Sequence, residues 1–329
     1  MISTGTNYCH SILIDEATMK NLSGTFLFLT RYIRNLRGGS QPILAEASDG
    51  LLYVVKFINN LQGPNLLFNE SAGSELFSAN ALDVPSWKPI FISDSFIDHN
   101  PDSWMQTPTG HLRPVSGLCF GSRFLGGDGI RLLEILPGTS FLRVRNRESF
   151  WLAWLIDICA NHADNRQAIF DEDAEGWLNA NFVDYGHLFG GPKGELHPPF
   201  LASRYLDPRI YQSISSKQQC NIRTAAGSID VDQLWQRIHS LSDDWTTAAL
   251  FESFADCLDK LSNTNLLRNI LDTIVNAVQR TGEFERNEQQ NGRKPPGKVL
   301  CIGVQAAGVE RRLVAGRFDH PICARGWGW

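Results

Sequence analysis

The segment from Asn161 to His187 constrains the chain more than any other. It reads Asn161-His162-Ala163-Asp164-Asn165-Arg166-Gln167-Ala168-Ile169-Phe170, then an acidic turn from Asp171 to Gly176, then Asn181-Phe182-Val183-Asp184-Tyr185-Gly186-His187. Short apolar runs on either side of a polar, glycine-containing turn have the form of a β-hairpin. Asp164 and Asp184 each stand beside one of these runs, so a hairpin brings both carboxylates to one edge. A loop aspartate alone signals little, because such residues ordinarily cap turns or carry solvated charge. The weight comes from what precedes the pair.

Thr25 to Arg34 is aromatic and β-branched, Gly38-Gly39-Ser40-Gln41-Pro42 interrupts it, and Ile43 to Ala47 resumes, which predicts two strands joined by a glycine turn. Ser48-Asp49-Gly50 then turns into a third strand, Leu51 to Phe57. That strand carries Lys56 in an otherwise apolar run, and a buried ammonium requires a partner. Helical spacing begins near Pro64, with Leu67, Phe68, Ala72, Leu76 and Ala79 recurring on one face. Glu70 on this helix can point back at Lys56, and Glu75 is a rival five residues on. Glycine-rich turn, strand lysine and helix glutamate, in that order, form an arrangement that holds nucleotide phosphates. Phosphoryl transfer further needs one acid to orient the attacking hydroxyl and another to hold the metal, and Asp164 would be the first and Asp184 the second.

As an ordered set, these motifs resemble the HipA-like kinase family, bacterial proteins with a protein-kinase-like fold. The likeness is carried by Gly38-Gly39-Ser40-Gln41-Pro42, by Asp49-Gly50 leading to Tyr53-Val54-Val55-Lys56-Phe57, and by Asn69-Glu70 opening a helix that ends near Leu82-Asp83-Val84-Pro85. It continues through Phe120-Gly121-Ser122-Arg123-Phe124, Glu134-Ile135-Leu136-Pro137 and the Asp164 to Asp184 stretch, covering roughly residues 25–215. The chain is similar to the shorter branch that lacks the N-terminal subdomain of the toxin kinases. The resemblance implies a two-lobed α+β fold, with a small antiparallel N-lobe sheet plus helix and a mainly helical C-lobe. It also implies transfer of the γ-phosphoryl group of ATP, with Mg2+, to a hydroxyl, a Ser or Thr of a protein substrate being the acceptor it suggests. Gly38, Gly39, Ser40 and Gln41 would cover the phosphates, Lys56 hold them and Glu70 position the lysine. Asp164 would orient the acceptor and Asp184 bind the metal.

One position departs from the pattern. Protein kinases place a metal-binding Asn five residues after the catalytic Asp, and here the fifth residue after Asp164 is Ile169. Gln167 is the nearest amide able to stand in through its carbonyl oxygen, and Asn165 is a poorer candidate. The departure keeps a nucleotide-binding pseudokinase or interaction module as the alternative reading. A metallohydrolase built from His162, Asp164, Asp184 and His187 is a further one, although the set lacks compact metal-ligand spacing and leaves Lys56 unexplained. His162 reads as a hydrogen-bonded loop residue, and Arg166 either meets phosphate or pairs with Asp157 or Asp184.

The partition expected along the chain is an N-terminal extension 1–24, a kinase-like domain 25–281 with N-lobe 25–118 and C-lobe 119–281, and a flexible basic tail 282–329. Gly117 to Gly121 reads as the connector between lobes, Asp94 to Gly110 as a loop, and Glu283 to Lys298 as a linker. Helices are expected at Glu148 to Ala160, near Pro208 to Ser215, at Val231 to Leu241 and over Thr246 to Arg280. No apolar run approaches a membrane span, Met1 to Tyr8 lacks the pattern of a secretory signal, and seven scattered cysteines form no Cys-x-x-Cys pair. A cytoplasmic location follows as an expectation. The net charge of −5 divides into about +5 from Asn291 onward and about −10 before it. An acidic body is a poor surface for nucleic acid, which leaves only the basic tail as a contact.

Overall fold

The structure, a computed structural model, describes residues 26–127, 130–196 and 202–290, the last ten as helical backbone. Strands β1 (Leu27–Asn35), β2 (Ile43–Ala47) and β3 (Leu52–Lys56) form an antiparallel meander, followed by helix α1 (Leu66–Ala79) and strand β4 (Trp87–Ile92). Helix α2 (Asp94–His99) and a small hairpin, β5 (Met105–Thr107) with β6 (Gly110–Leu112), lead to β7 (Gly117–Arg123). β7 inserts between β3 and β4, giving the order β1-β2-β3-β7-β4. The antiparallel sheet expected here has one parallel contact, Leu27 with Ile90 and Phe28 with Phe91, which closes it into a barrel.

Side chains alternate between the two faces of a strand. Ile43, Ala45, Val55, Ile90, Ile92 and Cys119 therefore fill the barrel, while Val54 and Lys56, one position out of phase with Val55, line a cleft outside it.

Several sequence expectations need correction. The Gly117–Gly121 run is a barrel strand, because its backbone pairs with β3 on one side and β4 on the other, so the chain leaves the barrel only after Arg123. Residues 94–110 hold a helix capped by the Ser93 hydroxyl and most of a hairpin, where Asp, Asn, Pro and Thr had suggested a loop. The final helix continues to Gln290, past Glu283, where a linker was expected to begin.

Beyond the barrel, β8 (Arg131–Leu133), β9 (Gln167–Glu172) and β10 (Leu178–Val183) make a second sheet in the order β10-β9-β8. Helix α3 (Ser149–Cys159) precedes the hairpin, and nine of its eleven residues are buried. After the hairpin come α4 (Ser216–Gly227), α5 (Val231–His239), α6 (Ala248–Ser262) and α7 (Thr264–Gln290). The helix expected near Pro208 is only a 3-10 turn, Pro208–Ile210, and α4 begins where Ser215 and Gln218 form a capping box. Asp230 and Thr247 cap α5 and α6 in the same way, each accepting a backbone N–H three residues on.

One large core runs through α3, the β9–β10 hairpin and the C-terminal helices, and α1 belongs to it through Phe68, Ala72, Leu76 and Phe77. Among the described residues no helix is long and apolar enough to cross a membrane.

Candidate active site

The β9–β10 hairpin pairs in register from Leu178–Glu172 to Val183–Gln167, and Asp173 accepts the backbone N–H groups of Glu175 and Trp177 in its turn. Asp184 follows the last paired residue, and Asp164 stands three residues before the first. Both acids therefore sit at the hairpin's open end, as the spacing in the sequence requires.

Asp184 has a left-handed backbone, φ 63°, which turns the chain sharply out of the strand. The turn is held from inside the protein. Arg166 donates to the carbonyl oxygens of Val183 (2.8 Å) and Asp184 (3.3 Å), and through Nε and an Nη to both oxygens of Asp157 (2.9 and 2.7 Å). Asp157 and Arg166 are fully buried, so the guanidinium is an internal brace and not a contact for phosphate. His162 Nδ1 lies 3.3 Å from Asp157 and 3.3 Å from Arg166. Burial holds the His162 pKa below its usual value against the pull of Asp157, consistent with a neutral ring inside the brace.

Helix α1 rests on the outside of the same turn. A Cβ at Gly73 would stand 2.5 Å from Tyr185 Cβ, and one at Gly186 would stand 3.0 Å from Glu70 Oε1 and overlap Leu66, so only glycine at both positions allows this approach. Asn69, fully buried, donates to the carbonyl oxygens of Gly186 and Leu188 at 2.9 Å each and of Gly191 at 3.2 Å. Asn69 precedes Glu70 in the sequence motif, where its neighbour carries the expected role. It pins the chain that follows Asp184.

Lys56 occupies the space between helix and turn. Its Nζ lies 2.5 Å from Glu70 Oε1 and 3.0 Å from Asp184 Oδ1. Burial works against the ammonium, but the carboxylates of Asp184 and Glu70 outweigh it and raise the lysine pKa above its usual value. For Asp184, burial is opposed and exceeded by the Lys56 ammonium, which holds this carboxyl well below the usual range. Glu70 goes the other way: burial raises its pKa, Lys56 opposes, and the Asp184 charge adds to the rise. Glu75, the rival to Glu70, is engaged elsewhere, accepting from Trp87 Nε1 at 3.0 Å and pairing with Arg237 at 2.8 Å.

These groups face one open cleft. Val54, Phe120, Leu132 and Ile169 give it apolar walls, and Lys56, Glu70 and Asp184 stand at its polar side. Such a division suits a ligand with an apolar body and a charged end.

The remaining expected residues fall in three places. Gln167 is beside Asp184, its amide donating to Asp184 Oδ2 at 2.8 Å, so both carboxylate oxygens are engaged. Asp164 is half-buried at the same end and accepts from the backbone N–H of Asn165 at 2.7 Å. Gly38, Gly39, Ser40 and Gln41 do not line the cleft. Their loop is fastened to its neighbours: Asn60 donates to Ser40 O at 2.7 Å, and Gln41 exchanges two hydrogen bonds with the Gln106 backbone at 2.8 and 2.6 Å. Gly39 packs on Gln62, whose amide lies 3.3 Å from His187 Nε2, and this side chain links the loop to the segment after Asp184. Neither Gln62 nor Gln106 carried a signal in the sequence.

The metallohydrolase set is not assembled. His162 is turned to Asp157 and His187 to Gln62, and among the described residues no three His, Cys, Asp or Glu side chains converge as a metal site.

No protein-family model matches the sequence, and no curated protein does. Among solved structures the chain is similar to the proinflammatory kinase CtkA of Helicobacter pylori, with a TM-score of 0.47 and 10% identity over 73% of this chain and 93% of that one. It is also similar to a Golgi casein kinase with Mn/ADP bound, with a TM-score of 0.42 and 12% identity over 78% of this chain and 76% of that one. A second structure of the Golgi casein kinase gives 0.41 and 10% over 78% and 75%. These structural neighbours are kinases.

Proposed function

We propose that this chain is a phosphotransferase that moves the γ-phosphoryl group of ATP to a hydroxyl, with a Ser or Thr of a protein as the acceptor suggested by the family resemblance. The reading is carried by one observation: Lys56 and Asp184, 128 positions apart, meet at 3.0 Å on the polar side of a single cleft.

Each residue has a task that its surroundings support. Lys56 stays charged because two carboxylates face it, and an ammonium so held is a fixed donor for phosphate oxygens. Glu70 sets the direction of that ammonium from α1. The nucleoside would occupy the apolar part of the cleft against Val54, Phe120 and Ile169. Asp164 would orient the acceptor hydroxyl and accept its proton.

The donors at the hairpin end suit a hard divalent cation such as Mg2+, which prefers carboxylate and carbonyl oxygen. Asp184 would hold it, with Gln167 contributing its carbonyl oxygen once the amide turns away from the carboxylate. The bound cation would neutralise phosphate charge.

Asp184→Asn is expected to lower Mg2+-dependent ATP turnover by on the order of 10²-fold or more, with a cooperative melting transition retained. Unchanged turnover would reject Asp184 as the metal-holding acid. A second reading, a nucleotide-binding module without transfer, is favoured by the occupation of both Asp184 oxygens by Lys56 and Gln167. In that case ATP analogues raise the melting temperature of the wild-type chain, yet no phosphate reaches an acceptor in cell lysate.

A further inference from the structure

Helix α1, which carries Glu70, is covered along most of its length: eleven of its fourteen residues are buried, and the exposed ones, Ser78 and Ala79, are its last two. One side lies on the turn after Asp184, through Gly73 and Asn69. Another meets α6, where Phe68 packs edge-on against Phe251 and Phe254 with ring centroids 6.0 and 6.5 Å apart. Its back is covered by the segment running from α5 to the 3-10 turn Asp243–Trp245. Arg237 of α5 pairs with Glu75 of α1 at 2.8 Å, and Glu75 also accepts from Trp87 Nε1. Trp245, 2% exposed, shares a cluster with Leu66, Leu67 and Phe120, and its Nε1 donates to Leu118 O at 3.2 Å. Trp87 stacks on Phe120 at 5.5 Å and lies 6.5 Å from Trp245. Phe120 is itself a wall of the cleft.

We propose that the segment from α5 to Trp245 is a built-in clamp on α1, and that Trp245 and Arg237 are positioning residues that hold Glu70 against Lys56. A helix with a solvent-facing side can slide or rotate when a partner binds. α1 offers only its last turn to solvent, because this segment of the chain covers its back. The Lys56–Glu70 pair is therefore assembled before any ligand arrives. The consequence for transfer rests on the phosphotransferase reading above, whereas the clamp is a property of the fold and can be tested without it.

The test is amide hydrogen exchange over Leu66–Ala79 in the full chain, together with calorimetric titration of a non-hydrolysable ATP analogue and a melting curve. Trp245→Ala and Arg237→Ala are expected to speed exchange in α1 by about tenfold and to weaken analogue binding by about the same factor. Arg237→Lys, which keeps the charge, should restore both. If Trp245→Ala fails to fold, Trp245→Phe takes its place, since it keeps an aromatic ring in the cluster while removing the bond to Leu118 O and part of the indole volume. Wild-type exchange in α1 accompanied by a lower melting temperature would overturn the clamp and leave Trp245 as ordinary packing. Should the wild-type chain bind no analogue while α1 exchange rises in the variants as expected, the clamp stands and the phosphotransferase reading falls.

Discussion

At the scale of single residues, the site is organised by a charge imbalance: one ammonium serves two carboxylates. Removing the ammonium leaves Glu70 and Asp184 facing each other with no counter-charge, and breaking a buried pair in this way costs about 3–5 kcal/mol. Lys56→Met is therefore expected to destabilise the chain more than Glu70→Gln, which leaves Lys56 its contact with Asp184. The deficit should depend on pH. Glu70 already has a raised pKa in the folded chain, and without Lys56 it rises further. A folded-state pKa above the unfolded value means that folding binds protons, so stability increases as pH falls. Urea unfolding of Lys56→Met at pH 5 and pH 7.5 should show the gap from wild type narrowing at the lower pH; a gap that widens in acid would show that Glu70 is not the group left unpaired. Lys56 was legible in the sequence because an ionisable residue in an apolar run demands a partner, and Glu70 and Asp184 because they follow it in an order that suits nucleotide phosphates. Asn69 and Gln62 were not, since an amide that bonds backbone or a neighbouring side chain leaves no pattern in composition or spacing.

At the scale of elements, α1 and the Asp184 turn approach more closely than a β-carbon permits. Alanine is the better helix former by about 1 kcal/mol, so propensity alone would favour Gly73→Ala. Its Cβ, however, would meet Tyr185 Cβ at 2.5 Å, and the turn would have to move. Overpacking of this kind costs about 1–3 kcal/mol, so Gly73→Ala should lose stability in denaturant titration and also weaken Mg2+-dependent binding of an ATP analogue, because Asp184 moves with the turn. Gly227→Ala serves as the comparison. Its nearest contact would be Leu261 O at 3.5 Å, and it should be as stable as wild type or more so. If the two variants behave alike, the contact between helix and turn is not tight in solution.

Turn chemistry made β1, β2, β3 and the β9–β10 hairpin readable, and the apolar stripe did the same for α3. The 94–112 region was not readable, because strands of three residues are too short to show alternation and α2 has only six residues. Helix α4 was missed for another reason: only Ile222 and Ala226 of its residues are buried, so its apolar stripe is thin, and the Ser215 to Gln218 capping box was the available signal.

For the whole molecule, the division of the core differs from the division read along the chain. An N-lobe ending at residue 118 would place α1 with the strands around it, and that boundary falls inside β7. In space, α1 contributes Phe68, Ala72, Leu76 and Phe77 to the large core of α3 and the C-terminal helices, while the barrel keeps a separate core around Ile43, Val55 and Ile90. Sequence order could not show this, because the residues that enclose α1, from Tyr185 to Phe254, follow it by more than a hundred positions, and those beyond His187 that do so, such as Phe251 and Phe254, belong to no motif. Cooperative opening follows shared core and not chain order. Native-state hydrogen exchange at increasing sub-denaturing urea should therefore release the amides of α1 in the same step as those of α3. The amides of β2 and β3 should exchange in a different step. Release of α1 together with the strands would mean that the barrel and its following helix open as one unit, and that the shared packing of Phe68 and Phe77 does not govern how the protein comes apart.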